Sequence, residues 1–220
     1  IPEVAKTGAN FVRVLVSIPP ADYPTSLAEI DSILATAKKS SMAVDLSLYN
    51  KTMNGSAYVQ ADVVPLIKKY EDILCLHAMG EGGQNSDTQW VSECKATIKK
   101  IRDAGIRCPL FMLSTSSGRD PNVVLHNGQK LVDFDPQHNI LCGVQLYWGY
   151  TSSLAKGWWL NNWGFTDKDA IDSFALRSFP IVAGINNHDP YGDPWLDYET
   201  QLSETQAKRI SWFWWDWYNP

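Results

Sequence analysis

Short, nearly continuous apolar runs recur along the chain, separated by longer segments in which apolar positions return every three or four residues. The runs are Phe11–Ser17, Ala43–Tyr49, Ile73–Met79, Pro109–Ser114, Ile140–Trp148, Pro180–Asn186 and Ile210–Trp217. A run that is apolar at both alternating sets of positions predicts a strand buried on both faces, as in a parallel sheet. The segments between the runs predict helices. Ser26-Leu-Ala-Glu29 has the spacing of a capping box and opens a helix reaching about Ser40. A second helical pattern covers roughly Ser86–Ala104 and closes at Gly105, a residue suited to the left-handed position after a helix. This alternation predicts an α/β fold. Seven strands with helices between them point to a barrel of the (β/α)8 type rather than a doubly wound sheet. No glycine-rich phosphate loop follows the first strand, which counts against a dinucleotide-binding sheet.

Ile1–Thr7 has the pattern of a helix tail, closed by Gly8 ahead of the strand Phe11–Ser17. The expectation is therefore one (β/α)-barrel domain over residues 1–220 that lacks the first of eight strands. Its edge strands, Phe11–Ser17 and Ile210–Trp217, would then carry unpaired backbone groups. A partner chain, or an N-terminal segment outside these residues, would supply the strand that covers them. No repeat or low-complexity stretch divides the chain.

Composition narrows the function classes. Apolar residues make up 45% and charged residues 20%, as in a globular domain. No apolar run is long enough to cross a bilayer, and no signal-peptide pattern opens the chain. Net charge is −5 with the Lys and Arg scattered, so nucleic acid is not an expected partner. The four cysteines, Cys75, Cys94, Cys108 and Cys142, follow no metal spacing, and neither a metal nor another cofactor is expected. They fit small buried hydrophobes; Cys94 and Cys108, flanking a helix end, are the pair an oxidising compartment would join. The anomaly is tryptophan. Nine of the ten fall late: Trp148, Trp158, Trp159, Trp163, Trp195, Trp212, Trp214, Trp215 and Trp217. A core seldom needs so many, because a buried indole N–H wants a partner, whereas sugar clefts use such rings as stacking platforms. The loop Lys156-Gly-Trp-Trp-Leu-Asn-Asn-Trp-Gly-Phe165 is the clearest candidate for sugar contact, the other reading being rings packed onto the barrel.

Chemistry in such barrels sits at the C-terminal ends of the strands. The first described run, Gly8-Ala-Asn-Phe-Val-Arg13-Val-Leu-Val-Ser17, carries an arginine inside an apolar strand. Burying it is costly unless it meets a carboxylate or other acceptors, so it is either a structural ion pair or a site residue. At this point TGANFVRVLVS resembles the second-strand signature of family 5 glycoside hydrolases, in particular the β-mannanase-like branch. The likeness continues in order. SMAVDLSLYNKT resembles that family's third strand, LCLHAMGEGG its fourth and KKIRDAGIRCPLFM its next helix and strand. FDPQHNILCGVQLYWGY resembles the sixth strand, FPIVAGINNH the seventh and ISWFWWDW the eighth. The resemblance implies a β-1,4-linked oligo- or polysaccharide ligand, mannan or cellulose, and a secreted or extracellular protein. It places Arg13 on the active-site arginine, Glu81 on the acid/base glutamate, Tyr147 on a sixth-strand tyrosine and His188 on a histidine after the seventh strand. Trp214, or a close neighbour, falls on the tryptophan that floors the sugar subsite, and Trp148 extends the aromatic lining.

The departures carry equal weight. The family's asparagine before the acid/base is Gly80 here, its third-strand histidine and aspartate are Tyr49 and Asn50, and its sixth-strand histidine is Gln145. The nucleophile position, in a Gly-Glu pair, reads Gly184-Ile185. Retaining hydrolysis needs two carboxyls about 5–5.5 Å apart. Isoleucine can neither attack C1 nor carry a proton, so the covalent route is lost. The leading expectation is a catalytically degenerate barrel that binds β-1,4-glycan through Arg13, Tyr49, Asn50, Gln145, Tyr147, Trp148, His188 and Trp214, with Glu81 kept as a hydrogen-bonding carboxylate. The rivals are a working β-1,4-glycanase that pairs Glu81 with a displaced carboxylate such as Asp189, and a structural or interaction barrel. His77 fits a satisfied core histidine, Ser114-Thr-Ser-Ser117 a strand-end loop, and Asn187-His-Asp-Pro-Tyr-Gly-Asp-Pro turn chemistry. Two sequons, Asn50-Lys-Thr52 and Asn54-Gly-Ser56, matter only in a eukaryotic secretory route.

Overall fold

The computed structural model describes residues 1–21, 24–49, 55–79, 86–146, 167–186 and 198–215. Among the described residues seven strands form one sheet in sequential order. They are β1 (Phe11–Ser17), β2 (Ala43–Tyr49), β3 (Leu74–Met79), β4 (Leu110–Leu113), β5 (Ile140–Leu146), β6 (Ile181–Asn186) and β7 (Ser211–Trp215). The pairs β1–β2, β2–β3, β3–β4, β5–β6 and β6–β7 are parallel. Helix α1 (Pro2–Ala5) precedes β1, and α2 (Leu27–Lys39), α3 (Val63–Lys69), α4 (Asp87–Asp103), α5 (Thr115–Gly118), α6 (Pro121–Phe134), α7 (Asp167–Ala175) and α8 (Tyr198–Ala207) lie between strands. This is the strand–helix order of a (β/α)8-type barrel with seven strands, as the pattern predicts. Among the described residues no strand precedes β1, and α1 gives way to Gly8 at φ +86°.

Two predicted strands begin one residue late for the same reason. Pro109 and Pro180 have no N–H to give the ladder, yet their carbonyls still accept from Leu76 and Cys142 at 2.9 and 3.1 Å. The capping box forms as the sequence implies. Glu29 N–H donates to Ser26 Oγ at 3.2 Å, and Ser26 N–H donates to Glu29 Oε2 at 2.8 Å. Helix α4 ends in a Schellman motif: Gly105 N–H donates to Arg102 O at 2.9 Å and Ile106 N–H to Ile101 O at 3.4 Å, with Gly105 at φ +76°. Helices α2 and α8 end the same way, but with Ser41 at φ 54° and Arg209 at φ 57° in the left-handed position. Ser114–Ser117 departs from the loop reading, because Thr115–Gly118 winds into the helical turn α5.

By contact density the chain divides into two compact units. The first comprises Ile1–Gly82, Val91–Met112 and Leu131–Ile140. Strand β3 is buried at every position, and Arg102 and Asp135 form a bidentate pair with Nε–Oδ1 and Nη2–Oδ2 at 2.8 and 2.9 Å. The second comprises Gly83–Trp90, Leu113–Lys130 and Leu141–Pro220. Its core includes Trp90, whose indole N–H donates to Leu113 O at 2.9 Å. All four cysteines are buried, and no disulfide joins Cys94 to Cys108. Burial pushes the Cys108 and Cys142 thiols up to about 12. Among the described residues no helix is long and apolar enough to cross a membrane.

Candidate functional site

In the first unit, β1 and β2 run in step from Phe11↔Ala43 to Ser17↔Tyr49. Alternate residues of a strand share a face, so Asp45, Ser47 and Tyr49 form one row on β2, opposite Arg13, Leu15 and Ser17 on β1. Asp45 and Ser47 are buried, while Tyr49 is 38% exposed, so the row opens towards the C-terminal strand ends. Arg13 is level with Asp45 but reaches one step further along. Its Nε donates to Ser47 Oγ at 3.1 Å and lies 3.8 Å from Asp45 Oδ2. The same Asp45 oxygen accepts from His77 Nδ1 at 2.9 Å. A carboxylate only accepts, so Nδ1 carries the proton. The imidazole is held from its side by Phe111, with ring centroids 4.7 Å apart and planes tilted by 34°. The arginine in an apolar strand thus meets the carboxylate that its burial requires, and His77 is the buried histidine the sequence suggests, with Asp45 as its partner.

A gap in the sheet lies beside this cluster. Pairing of β2 with β3 stops at Leu46↔Leu76, although the two strands continue to Tyr49 and Met79. The buried hydroxyl of Tyr58, from the 3-10 turn Ala57–Val59, bridges the two backbones instead. It accepts from Leu48 N–H at 3.1 Å, and its single proton lies between the carbonyls of Leu46 at 2.9 Å and His77 at 2.8 Å. Burial pushes its ionisation far above the ordinary phenol range, so it stays a neutral hydroxyl. On its other side β3 slips by one residue against β4, from His77↔Phe111 to Met79↔Met112. Such a bulge bends the strand locally and breaks the ladder at that point.

In the second unit Gln145, Gly184 and Phe213 are register partners on β5, β6 and β7. They share a face: a Cβ built on Gly184 would come within 2.7 Å of Phe213 Cζ and 3.3 Å of Gln145 Cγ. Any larger residue there would have to displace the Phe213 ring. Ile185 is the next residue, in register with Leu146 and Trp214, and no bulge intervenes. Its side chain stands on the opposite face from Gln145 and is 0% exposed.

Of the residues expected to form the site, Arg13 and Tyr49 lie in the first unit and Gln145 in the second; Trp214 lies on β7. Glu81, Asn50, Tyr147, Trp148 and His188 lie outside the described residues, as do Trp158, Trp159, Trp163, Asp189 and both sequon asparagines. Sequence reasoning missed Asp45, Ser47 and Tyr58. The first two had a legible signal, a polar row at every second position of an apolar strand (Asp45, Ser47, Tyr49). Tyr58 had none, because a three-residue turn has no period.

No family model matches the chain. It is 25% identical over 224 residues to the β-mannanase/endoglucanase A of Caldicellulosiruptor saccharolyticus, covering 96% of this chain and 16% of that protein. It is 23% identical over 227 residues to the mannan endo-1,4-β-mannosidase of Cellvibrio japonicus (strain Ueda107), covering 98% of this chain and 50% of that one. The chain thus spans half or less of the length of these two curated relatives. Among solved structures, the catalytic domain of a mannanase from Streptomyces sp. SirexAA-E superposes with a TM-score of 0.79 at 20% identity, covering 100% of this chain and 70% of that one. The β-mannanase of Streptomyces thermolilacinus with mannohexaose gives 0.79 at 19% identity, covering 100% and 73%. These structural likenesses establish the fold.

Proposed function

We propose that this protein binds β-1,4-linked glycan, mannan foremost, without hydrolysing it by the retaining route. The mannan-directed character of its sequence relatives supports the ligand class. Position 185 carries the argument against turnover. Where the family resemblance calls for a nucleophilic glutamate, this chain has an isoleucine that is wholly buried and faces away from Gln145. No carboxylate at that point can attack an anomeric carbon. Arg13 and the half-exposed Tyr49 remain as polar and aromatic contacts on the first unit. The late tryptophans Trp148, Trp158, Trp159 and Trp163 are the residues to which the proposal assigns stacking on sugar. Each ring buried against a sugar face contributes about 1–2 kcal/mol at roughly 25 cal/mol per Å². Three such contacts, less the cost of association, give a dissociation constant on the order of 10 μM to 1 mM.

Calorimetry with mannohexaose and cellohexaose, beside a reducing-sugar assay run over days, tests this. Binding without product release is expected. Sustained turnover that Glu81→Gln abolishes would replace this reading with a glycanase using a displaced carboxylate. Neither binding nor turnover would leave a structural barrel.

A further inference from the structure

Two buried arginine–aspartate pairs in the first unit are built differently. Arg102 is held from every side: Asp135 takes Nε and Nη2, and the carbonyls of Ile106 and Cys108 take Nη1, each at 2.9 Å. This is an arginine committed to holding the fold. Arg13 approaches Asp45 with its Nε edge, Nε–Oδ2 being 3.8 Å, and gives that Nε proton to Ser47. Asp45 in turn makes its shorter bond, at 2.9 Å, with His77. His77 is itself fixed by Phe111 against its ring and by Tyr58 at its carbonyl. The order of rigidity therefore runs from Phe111 and Tyr58 through His77 and Asp45 to the Nε edge of Arg13.

A core selected for stability alone would carry apolar side chains here, because replacing a buried ion pair by packed apolar residues is often neutral or stabilising. Retaining aspartate and histidine beneath a half-open row implies that the direction of the guanidinium matters. We infer that Asp45 and His77 are positioning residues for Arg13: His77 orients the Asp45 carboxylate, and the carboxylate aims the guanidinium along β2 towards Tyr49. The inference rests on the reading of Arg13 as a glycan contact for its function, though not for its geometry.

Two substitutions at His77 separate positioning from packing. His77→Asn keeps an N–H donor close to the place of Nδ1 but leaves a void beside Phe111. His77→Leu fills the void but has no donor. If the residue is only structural, affinity follows stability, and the leucine variant binds mannohexaose at least as well as the asparagine variant. If it positions Arg13, the order reverses. His77→Asn stays within about twofold of the unmodified protein, while His77→Leu and Asp45→Asn lose about tenfold, the scale of one hydrogen bond to a charged group. In an Arg13→Met background, Asp45→Asn and His77→Leu should then have no further effect on affinity. A second readout needs no sugar. The Arg13 Nε–H resonance, assigned by its loss in Arg13→Lys, should exchange faster with solvent in His77→Leu and remain protected in His77→Asn. If the unmodified protein binds neither glycan, the glycan reading fails and this exchange measurement alone decides the inference. Equal exchange in both His77 variants, or affinity that tracks melting temperature, overturns it.

Discussion

Removing one oxygen atom, by Tyr58→Phe, should destabilise the protein more than most core truncations that remove a single atom. The hydroxyl is buried and serves three backbone groups where β2 and β3 no longer pair with each other. Loss of the oxygen leaves Leu48 N–H without its acceptor at 3.1 Å. It also leaves the carbonyls of Leu46 and His77, at 2.9 and 2.8 Å, without the proton they share. One donor and one acceptor function are therefore lost. Orphaning a buried polar group costs about 1–3 kcal/mol, and relief from burying the phenol oxygen offsets a part. The net expectation is about 2–4 kcal/mol. For a chain of this size each kcal/mol moves the melting midpoint by about 2–4 °C, so the drop should be about 4–16 °C. Urea titration followed by circular dichroism gives the free energy. Amide exchange at Leu48 locates the effect, and protection there should fall more than at Val44, whose N–H donates to Ile73 O at 2.8 Å. The pH dependence has a definite sign. Burial raises the folded-state ionisation of Tyr58, so its contribution is complete below about pH 10, where the unfolded phenol titrates, and is lost as pH rises above that. A loss under about 0.5 kcal/mol with unchanged Leu48 exchange would refute the bridging role.

Other consequences follow from the same reasoning. Ile185→Glu should not restore hydrolysis: it puts a carboxylate on the fully buried face shared with Leu146 and is expected to cost about 3–5 kcal/mol by urea titration, whereas turnover by this variant would show that position 185 does reach the site. Asp135→Ala should cost about 3–5 kcal/mol by stranding Arg102. Burial works to raise the Asp135 carboxyl, but the bonds and charge of Arg102, together with the N–H groups of Asn139 and Gln137, outweigh it and hold it below the usual range. Its stabilisation is therefore full above about pH 4 and fades as pH falls through the depressed value, and acid titration of the Asp135→Asn variant should lack that component. Ser41→Gly and Arg209→Gly should each raise the urea midpoint, by about 0.5–1 kcal/mol of stability, because both residues hold a left-handed backbone, at φ 54° and 57°, that glycine adopts without penalty.

Strand and helix positions were legible in the sequence because they depend on local period and on end signals. The bounds of β1 and β2 match the apolar runs, and the Ser26–Glu29 box and Gly105 mark helix ends that form as written. Burial of Arg13 was legible as a demand for a carboxylate, since a charge in an apolar strand must be answered. The identity of that carboxylate was not. Asp45 lies 32 residues from Arg13 in sequence, and only the register Arg13↔Asp45 sets them level. Likewise, the sequence determined that position 185 carries no acid, but the face on which Ile185 stands depends on the register that sets it level with Leu146 and Trp214. Tyr58 shows the limit most plainly. Its hydroxyl matters because two strands stop pairing at Leu46 and Leu76, and that is a relation between distant backbones which no single segment encodes.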